Sequence, residues 1–496
     1  MEPSAPAPNP GARDPLGSRP LVYTQAGGGI SAEHERELLD RLPTTPAPDA
    51  LALKAWIESG AFPAGRTLYE GIRRVPPGHG LRREGNSLAI ERHWSPRYEG
   101  TLAGSPAELA EHLREAVFAA VARAAAGPGR SAVRLSGGLD SAAVAAGLAS
   151  AGPAGTVALS AVFPDHPETD ERELIEATVA WSGLTAARIE IRSGRAVLPT
   201  ALVHIERWRL PPVSPNLFVW EPLAERARKL GVARMLDGEG GDELFGTAPE
   251  LIADRLRRGR LAGAWQLCGR IPGMGEHPDD RALRLRALRR FGVVPLIPPA
   301  ALRRRRRRRA ESDAEGSLLS AADLLALAEL AEDRRPPAGP LWWRGLVATL
   351  TDDEFDVAGH LRREEIDAGI ERSHPFLFDL ELVETVLRLP PELGFDPLRD
   401  RPLLRDALAG HAADPVLTRR GKARFNPLLA EALAGPEGER LLAPLTAADA
   451  PIRDYVESAA LERLLRADRS ALPARDAVRL WRLGLADLWL RSLAGA

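Results

Sequence analysis

The stretch Ser136-Gly137-Gly138-Leu139-Asp140-Ser141 decides how the rest of the chain is read. It follows the short apolar run Ala132-Val133-Arg134-Leu135 and precedes a helical segment from Ser141 to about Ser150. A strand, a Gly turn and a helix start, in that order, leave free backbone N–H groups where an anion can sit. The two glycines let the backbone pass close to a ligand. Ser136 and Ser141 add hydroxyl donors, and Asp140 can hold Mg²⁺ against phosphate oxygens. No Gly-Lys-Ser/Thr follows, so this is not the common P-loop.

A second acidic glycine loop, Asp237-Gly238-Glu239-Gly240-Gly241-Asp242-Glu243, follows the strand-like Val232–Leu236. Ligands of open α/β sheets bind at the carboxyl ends of strands. Two such loops at one edge can share a Mg²⁺ through Asp140 and Asp242, a hard-oxygen pair. Between them, Thr156–Phe163 reads as a strand and 171–181 as a helix. Strands alternating with helices predict a parallel α/β sheet. Residues 106–126 form an amphipathic helix with Ser105 as N-cap. From 341 onward the pattern is helical, over 341–349, 379–388, 402–409, 427–434, 458–466 and 475–493. Trp342-Trp343 and His374 read as structural residues. Residues 253–337 are irregular and Arg-rich. Their run Arg303 to Arg309 reads as a solvated charged face, with contact to an acidic leader peptide or partner as the alternative. Residues 1–20, rich in Pro, Gly and Ser, read as a disordered tail.

Composition narrows the function classes. The 496 residues are 44% hydrophobic and 27% charged, which is globular, and long enough for more than one domain. A net charge of −2 gives no sign of a nucleic-acid binder. Cys268 is the only cysteine, so no disulfide framework or all-Cys zinc site can form, and a reducing cytoplasmic setting is expected. No apolar run approaches the roughly 18 residues of a membrane helix, and Met1-Glu2-Pro3-Ser4 does not open a secretory signal, so no membrane insertion is expected. The 66 basic residues include only three lysines, Lys54, Lys229 and Lys422. Against that bias, a lysine among Arg419, Arg420 and Arg424 points to chemistry that arginine cannot supply.

Ser136–Ser141 resembles the pyrophosphate-binding loop of the ATP pyrophosphatases, and the two loops together resemble the synthetase domain of asparagine synthetase and its relatives. Further matches follow in chain order: Asp170-Glu171, then Pro375-Phe376-Leu377 with Asp379, then Leu403-Leu404-Arg405 and Arg420-Gly421-Lys422. Upstream, Gly71-Ile72, Val75-Pro76-Pro77-Gly78-His79 and His93-Trp94 resemble the end of that family's glutaminase domain. The implied fold is α/β, with a parallel sheet of the ATP-pyrophosphatase (adenine nucleotide alpha hydrolase-like) type. A helical C-terminal part and a small, reduced, glutaminase-like N-terminal domain complete it. The implied boundaries are a tail at 1–20, the reduced domain at 21–104 and the synthetase domain at 105–496.

The resemblance also implies roles. Leu135, Ala161, Asp237 and Gly238 would contact ATP, largely through backbone. Ser136, Gly137, Gly138, Asp140, Ser141, Gly240 and Gly241 would hold ATP or pyrophosphate, and Asp140 and Asp242 would bind Mg²⁺. Glu239 would accept the amine proton, and Lys422 would stabilise phosphoryl and oxyanion charge. Two departures matter. Position 2 is Glu2, where glutamine-using members carry a cysteine nucleophile, so glutaminase activity is expected to be absent. Phe378 is an extra residue in the Pro-Phe-Leu-Asp element. Amide-forming members without glutaminase include β-lactam synthetase-like enzymes and lasso peptide cyclases. Thr67–His79 and Leu480-Trp481-Arg482-Leu483 … Leu488-Trp489-Leu490-Arg491 resemble the latter most. That branch implies a precursor peptide as substrate, with a leader peptidase and a leader-recognition protein as partners. Asparagine synthesis from free ammonia, a small-molecule cyclase and a non-enzymatic scaffold remain the competing readings.

Overall fold

A computed structural model of the chain describes residues 11–152, 155–274, 280–331, 337–421 and 425–494. The N-terminal part has β1 (Val22–Thr24), β2 (Ile30–Ala32) and β3 (Ile72–Arg74) in one antiparallel sheet, ordered β2-β1-β3. Helices α1 (Glu35–Arg41) and α2 (Ala50–Ser59) lie between β2 and β3 in sequence, and the hairpin β4 (His79–Glu84) and β5 (Ser87–Arg92) follows. Asp49 caps α2 by accepting from Ala52 N at 3.0 Å.

The central sheet is parallel, with the order β10-β9-β6-β7-β8. Its strands are β6 (Arg130–Arg134), β7 (Val157–Val162), β8 (Thr185–Glu190), β9 (Val232–Leu236) and β10 (Glu371–Ser373). The chain runs outward from β6 through β7 to β8, then returns to place β9 on the other side of β6. The reversal falls between β6 and β9, so the loops after these two strands open the crevice where such sheets bind ligands.

Helix α3 (Pro106–Ala125) starts with a complete capping box: Ser105 Oγ accepts from Glu108 N, and the Glu108 carboxylate accepts from Ser105 N at 2.8 Å. Behind β6, α4 (Leu139–Ala151) is buried along most of its length, and Gly147 packs so closely on Val121 of α3 that a Cβ there would overlap it. Helix α5 (Arg172–Ser182) connects β7 to β8. One core fills the α3/α4 side of the sheet and takes in Trp342, Trp343 and Phe376. The other joins the opposite sheet face to the N-terminal part and the last helix, Ala474–Ala494, through Trp56, Tyr69, Trp208 and Trp489. Trp489 Nε1 and Tyr69 Oη both donate to the Arg209 carbonyl, at 2.8 and 2.5 Å.

Several expectations need correction. Residues 11–20 are packed rather than disordered. Arg13 is buried, donates to the Val75 carbonyl at 2.7 Å and pairs with Asp353 at 2.9 Å. Tail-like composition hides one residue with a buried counter-ion. The Arg-rich region is helical, and Arg303–Arg309 lies on the helix Pro299–Ala314, with only Ala310 buried. Strands β8 and β10 escaped the reading. Phe378 closes the short helix Pro375–Phe378, and Asp379 then caps the next, Leu380–Leu387, by accepting from Leu382 N at 2.9 Å. No helix among the described residues is long and apolar enough to cross a membrane.

Candidate active site

The crevice opens into a cleft of about 1010 Å³. Leu135, Ser136, Gly138, Asp140, Ser141, Ala161, Asp237, Gly238, Glu239 and Asp242 all line it, so residues from β6, β7, β9 and their loops converge as the motifs implied. Three of the glycines do not line it and act through packing. Gly137 has φ +76 and no room for a Cβ against Glu171, and its carbonyl accepts from Arg419 Nη1 at 3.2 Å. Gly240 caps the short helix Gly241–Leu244 at φ 89. Gly241 lies directly against the Asp140 side chain. Ser141 is also partly structural: its hydroxyl donates to the Gly138 carbonyl at 3.1 Å and accepts from Ser136 N at 3.2 Å, folding the loop onto the start of α4. Lys422 lies outside the described residues.

Asp140 and Asp242 meet at one cation. Arg401 Nη1 pairs with both, at 2.8 Å to Asp242, while its Nη2 holds Asp400 at 2.6 Å. Arg401 has φ 48 and precedes Pro402, the first residue of the helix Pro402–Ala407. Such a backbone is costly for a side chain larger than glycine, so the guanidinium is held there by its three carboxylates. Sequence reading missed Arg401. Its signal was a basic residue between Asp400 and a helix-starting Pro402. It also missed Arg419, which pairs with Glu171 beside the first loop.

Beneath the loop after β9, Asp237 is buried and fully used. It accepts from Arg134 at 2.9 Å, Arg372 at 2.8 Å, His374 Nδ1 at 2.8 Å and Glu239 N at 3.0 Å. Burial alone would raise its pKa, but His374, Arg134 and Arg372 outweigh burial and hold the carboxyl well below the usual range. Arg372 also reaches Glu364 at 3.1 Å, and Arg134 lies over the Trp220 ring at 5.1 Å. His360 packs on Trp220 at 5.1 Å, and burial pushes its pKa down to about 4. Glu239 differs. Its side chain stays 52% exposed to the cleft, and partial loss of solvent together with the Asp237 charge raises its pKa.

Two glycine loops, the start of α4 and two carboxylates on the Arg401 guanidinium thus converge in one cleft at the edge of the parallel sheet. Residues 112–491 match the family model for asparagine synthase, and the chain belongs to that family. Residues 11–94 match the model for a glutamine amidotransferase domain. That stretch contains no cysteine, and Cys268 is buried in the helix Leu261–Cys268. Similar proteins include a putative asparagine synthetase (glutamine-hydrolysing) of Mycobacterium bovis, and one of the same name in Mycobacterium tuberculosis. Each is 30% identical over 250 residues, 47% of this chain and 37% of the relative. The amidase chyE of Penicillium rubens is 26% identical over 267 residues, 49% of this chain and 38% of that protein. The chain thus spans less than two-fifths of the length of each of these relatives.

Proposed function

We propose that this chain is an ATP-dependent carbon–nitrogen ligase that activates a carboxylate as its acyl-adenylate and transfers it to an amine. The observation that carries this reading is the meeting of Asp140 and Asp242 at one cation beside the glycine loop that starts α4. The donor set fits Mg²⁺ shared with substrate phosphates. Two carboxylates suffice because this ion keeps waters and takes phosphate oxygens as its remaining ligands. When bound, Mg²⁺ neutralises charge on the leaving pyrophosphate.

In the first step a substrate carboxylate oxygen bonds to the α-phosphorus of ATP and pyrophosphate leaves. The Ser136–Ser141 loop and the first N–H groups of α4 hold the phosphates. In the second step the amine nitrogen bonds to the acyl carbon, AMP leaves, and Glu239 accepts the amine proton. Lys422 supplies positive charge to the α-phosphate and the oxyanion.

The finer reading is a lasso peptide cyclase. The side chain of an Asp or Glu in a precursor peptide is activated, and the N-terminal amine of the same peptide closes a macrolactam. Supporting it, the cleft exceeds what ATP and a single amino acid fill, and Phe355 and Leu398 line it with 50% and 53% of their surface exposed. No cysteine stands in 11–94 to serve as a glutaminase nucleophile, which favours an amine acceptor over glutamine. A leader peptidase and a leader-recognition protein would act on the same precursor. The test is incubation with ATP, Mg²⁺ and candidate peptides that carry an Asp or Glu side chain and a free N-terminal amine. Pyrophosphate release with a product one water lighter than the peptide supports the cyclase. Asparagine formed from aspartate and ammonia replaces it with the synthetase reading, and no pyrophosphate with any acceptor overturns the ligase.

A further inference from the structure

The arginines lining the cleft divide by partner. Arg134, Arg401, Arg405 and Arg419 each answer a carboxylate. Arg420 is exposed at the rim. Arg482 is partly buried in the cleft wall, has no hydrogen bond or ion pair to any described residue, and has its Nε closed off from solvent without a partner.

Its surroundings explain the vacancy of partners. Arg475, Arg479 and Arg482 follow one another along the helix Ala474–Ala494, near Glu58 of α2. Glu58 is already committed to Arg479, to Arg475 at 2.8 Å and to Leu318 N at 3.1 Å. Arg479 also reaches Asp476 at 3.4 Å. Three guanidinium groups therefore stand against two carboxylates, and the unanswered charge is the one on the cleft wall. Burial and the nearby Arg479 push the Arg482 pKa down to about 10, as expected for a cation lacking its counter-ion. The fold also leaves it space. Gly60 ends α2 at φ 85, and any Cβ there would overlap the guanidinium. This wall is continuous with the Phe355 loop, since Phe62 N donates to the Glu354 carbonyl.

We infer that Arg482 binds a carboxylate of the acceptor-side substrate, in the part of the cleft walled by the end of α2 and the Phe355 loop. The inference rests on the ligase reading. The planar guanidinium suits a carboxylate, which it can grip through two parallel hydrogen bonds. The phosphates of ATP are provided for elsewhere, by the loops after β6 and β9. The carboxylate can come from an acidic side chain or from a peptide C-terminus, and the two are separable.

The test measures binding to the full chain, without turnover, for wild type, Arg482→Gln and Arg482→Lys. The probes are a non-hydrolysable ATP analogue, an acidic peptide with an amidated C-terminus, and a neutral peptide with a free C-terminus. Arg482→Gln should weaken one peptide about 10- to 100-fold and leave the nucleotide analogue unchanged. The peptide affected identifies the source of the carboxylate. Arg482→Lys should recover part of the affinity, which a purely structural arginine would not require. Arg482→Gln should also unfold no earlier than wild type on heating, since it removes an unanswered charge. Equal peptide binding by wild type and Arg482→Gln, no binding of either peptide by wild type, or a loss confined to the nucleotide overturns the inference. Failure of the ligase reading appears separately, as absent pyrophosphate release.

Discussion

Asp237 and Asp242 lie five residues apart on one loop and live in opposite environments. Asp237 is buried, with two guanidinium groups, the His374 ring and a backbone N–H on its two oxygens. Asp242 keeps 52% of its side chain exposed to the cleft and shares one guanidinium with Asp140. The same acidic glycine motif therefore divides into a half that holds the sheet edge together and a half that faces the cleft. An acidic residue in a glycine loop does not declare its role by type. What decides is whether its lone pairs are already spoken for by the fold.

The strongest way to break this comparison is Asp237→Ala. It leaves the buried Arg134 and Arg372 with Glu364 alone to answer them and takes away the partner of His374, and should cost about 3–5 kcal/mol in denaturant unfolding. A loss under about 1 kcal/mol would show that Asp237 is not the keystone of that cluster. On the cleft side, Asp140→Ala and Asp242→Ala should each lower pyrophosphate release by about 10²–10³-fold, with the unfolding midpoint nearly unchanged for the half-exposed Asp242 and lowered for Asp140, which lies against the buried Arg401. Wild-type rates in either variant would remove the shared-cation site. Lys422→Ala should lower turnover about 100-fold with little change in stability, and Lys422→Arg should be impaired as well. Near-normal turnover of the arginine variant under saturating ATP would end its assignment as a charge stabiliser.

The smallest effect concerns pH, on the buried side. The folded pKa of His360 is about 4 against an ordinary 6.5. As pH falls below 6.5 the unfolded chain takes up the proton first, so folded stability drops between 6.5 and about 4 and levels off below. From about pH 7 to about pH 5 this amounts to roughly 2 kcal/mol. Asp237 has a lowered pKa, so its contribution is lost only in stronger acid and does not overlap this window. Urea unfolding of His360→Gln should show a shallower loss over that range. An identical slope would mean that His360 is not the group responsible.

Legibility in the sequence followed locality. Strand β9 coincides with the Val232–Leu236 run, and Ser105 with Glu108 announces α3 three residues apart. Such elements carry their own pattern. Strand β8, Thr185-Ala186-Ala187-Arg188-Ile189-Glu190, is an edge strand with little apolar alternation, and it exists because β7 lies beside it. Strand β10 is three residues long, and Arg372 within it pairs with Asp237, 135 residues away. No local window contains that contact. The same holds for Arg401, whose importance appears only when the loops after β6 and β9 are seen to converge on it. Nine of the assigned cleft residues lay in two motifs and the strands before them, and Ala161 lay on β7 between them. The cations that organise them came from elsewhere in the chain.

The contact of Gly238 and Gly241 with Asp140 carries one more consequence. A Cβ at either glycine would overlap Asp140, so the two loops are seated on each other with no spare volume. Loops from strands about 100 residues apart in sequence are thereby joined like two halves of a vise bolted at a fixed gauge. The spacing between the two loops is set by the backbone of Gly238 and Gly241 seated on the Asp140 backbone and side chain. Any change in the width of the cleft then falls to its other walls, where Phe355 and Leu398 lie, while these two loops stay at one aperture.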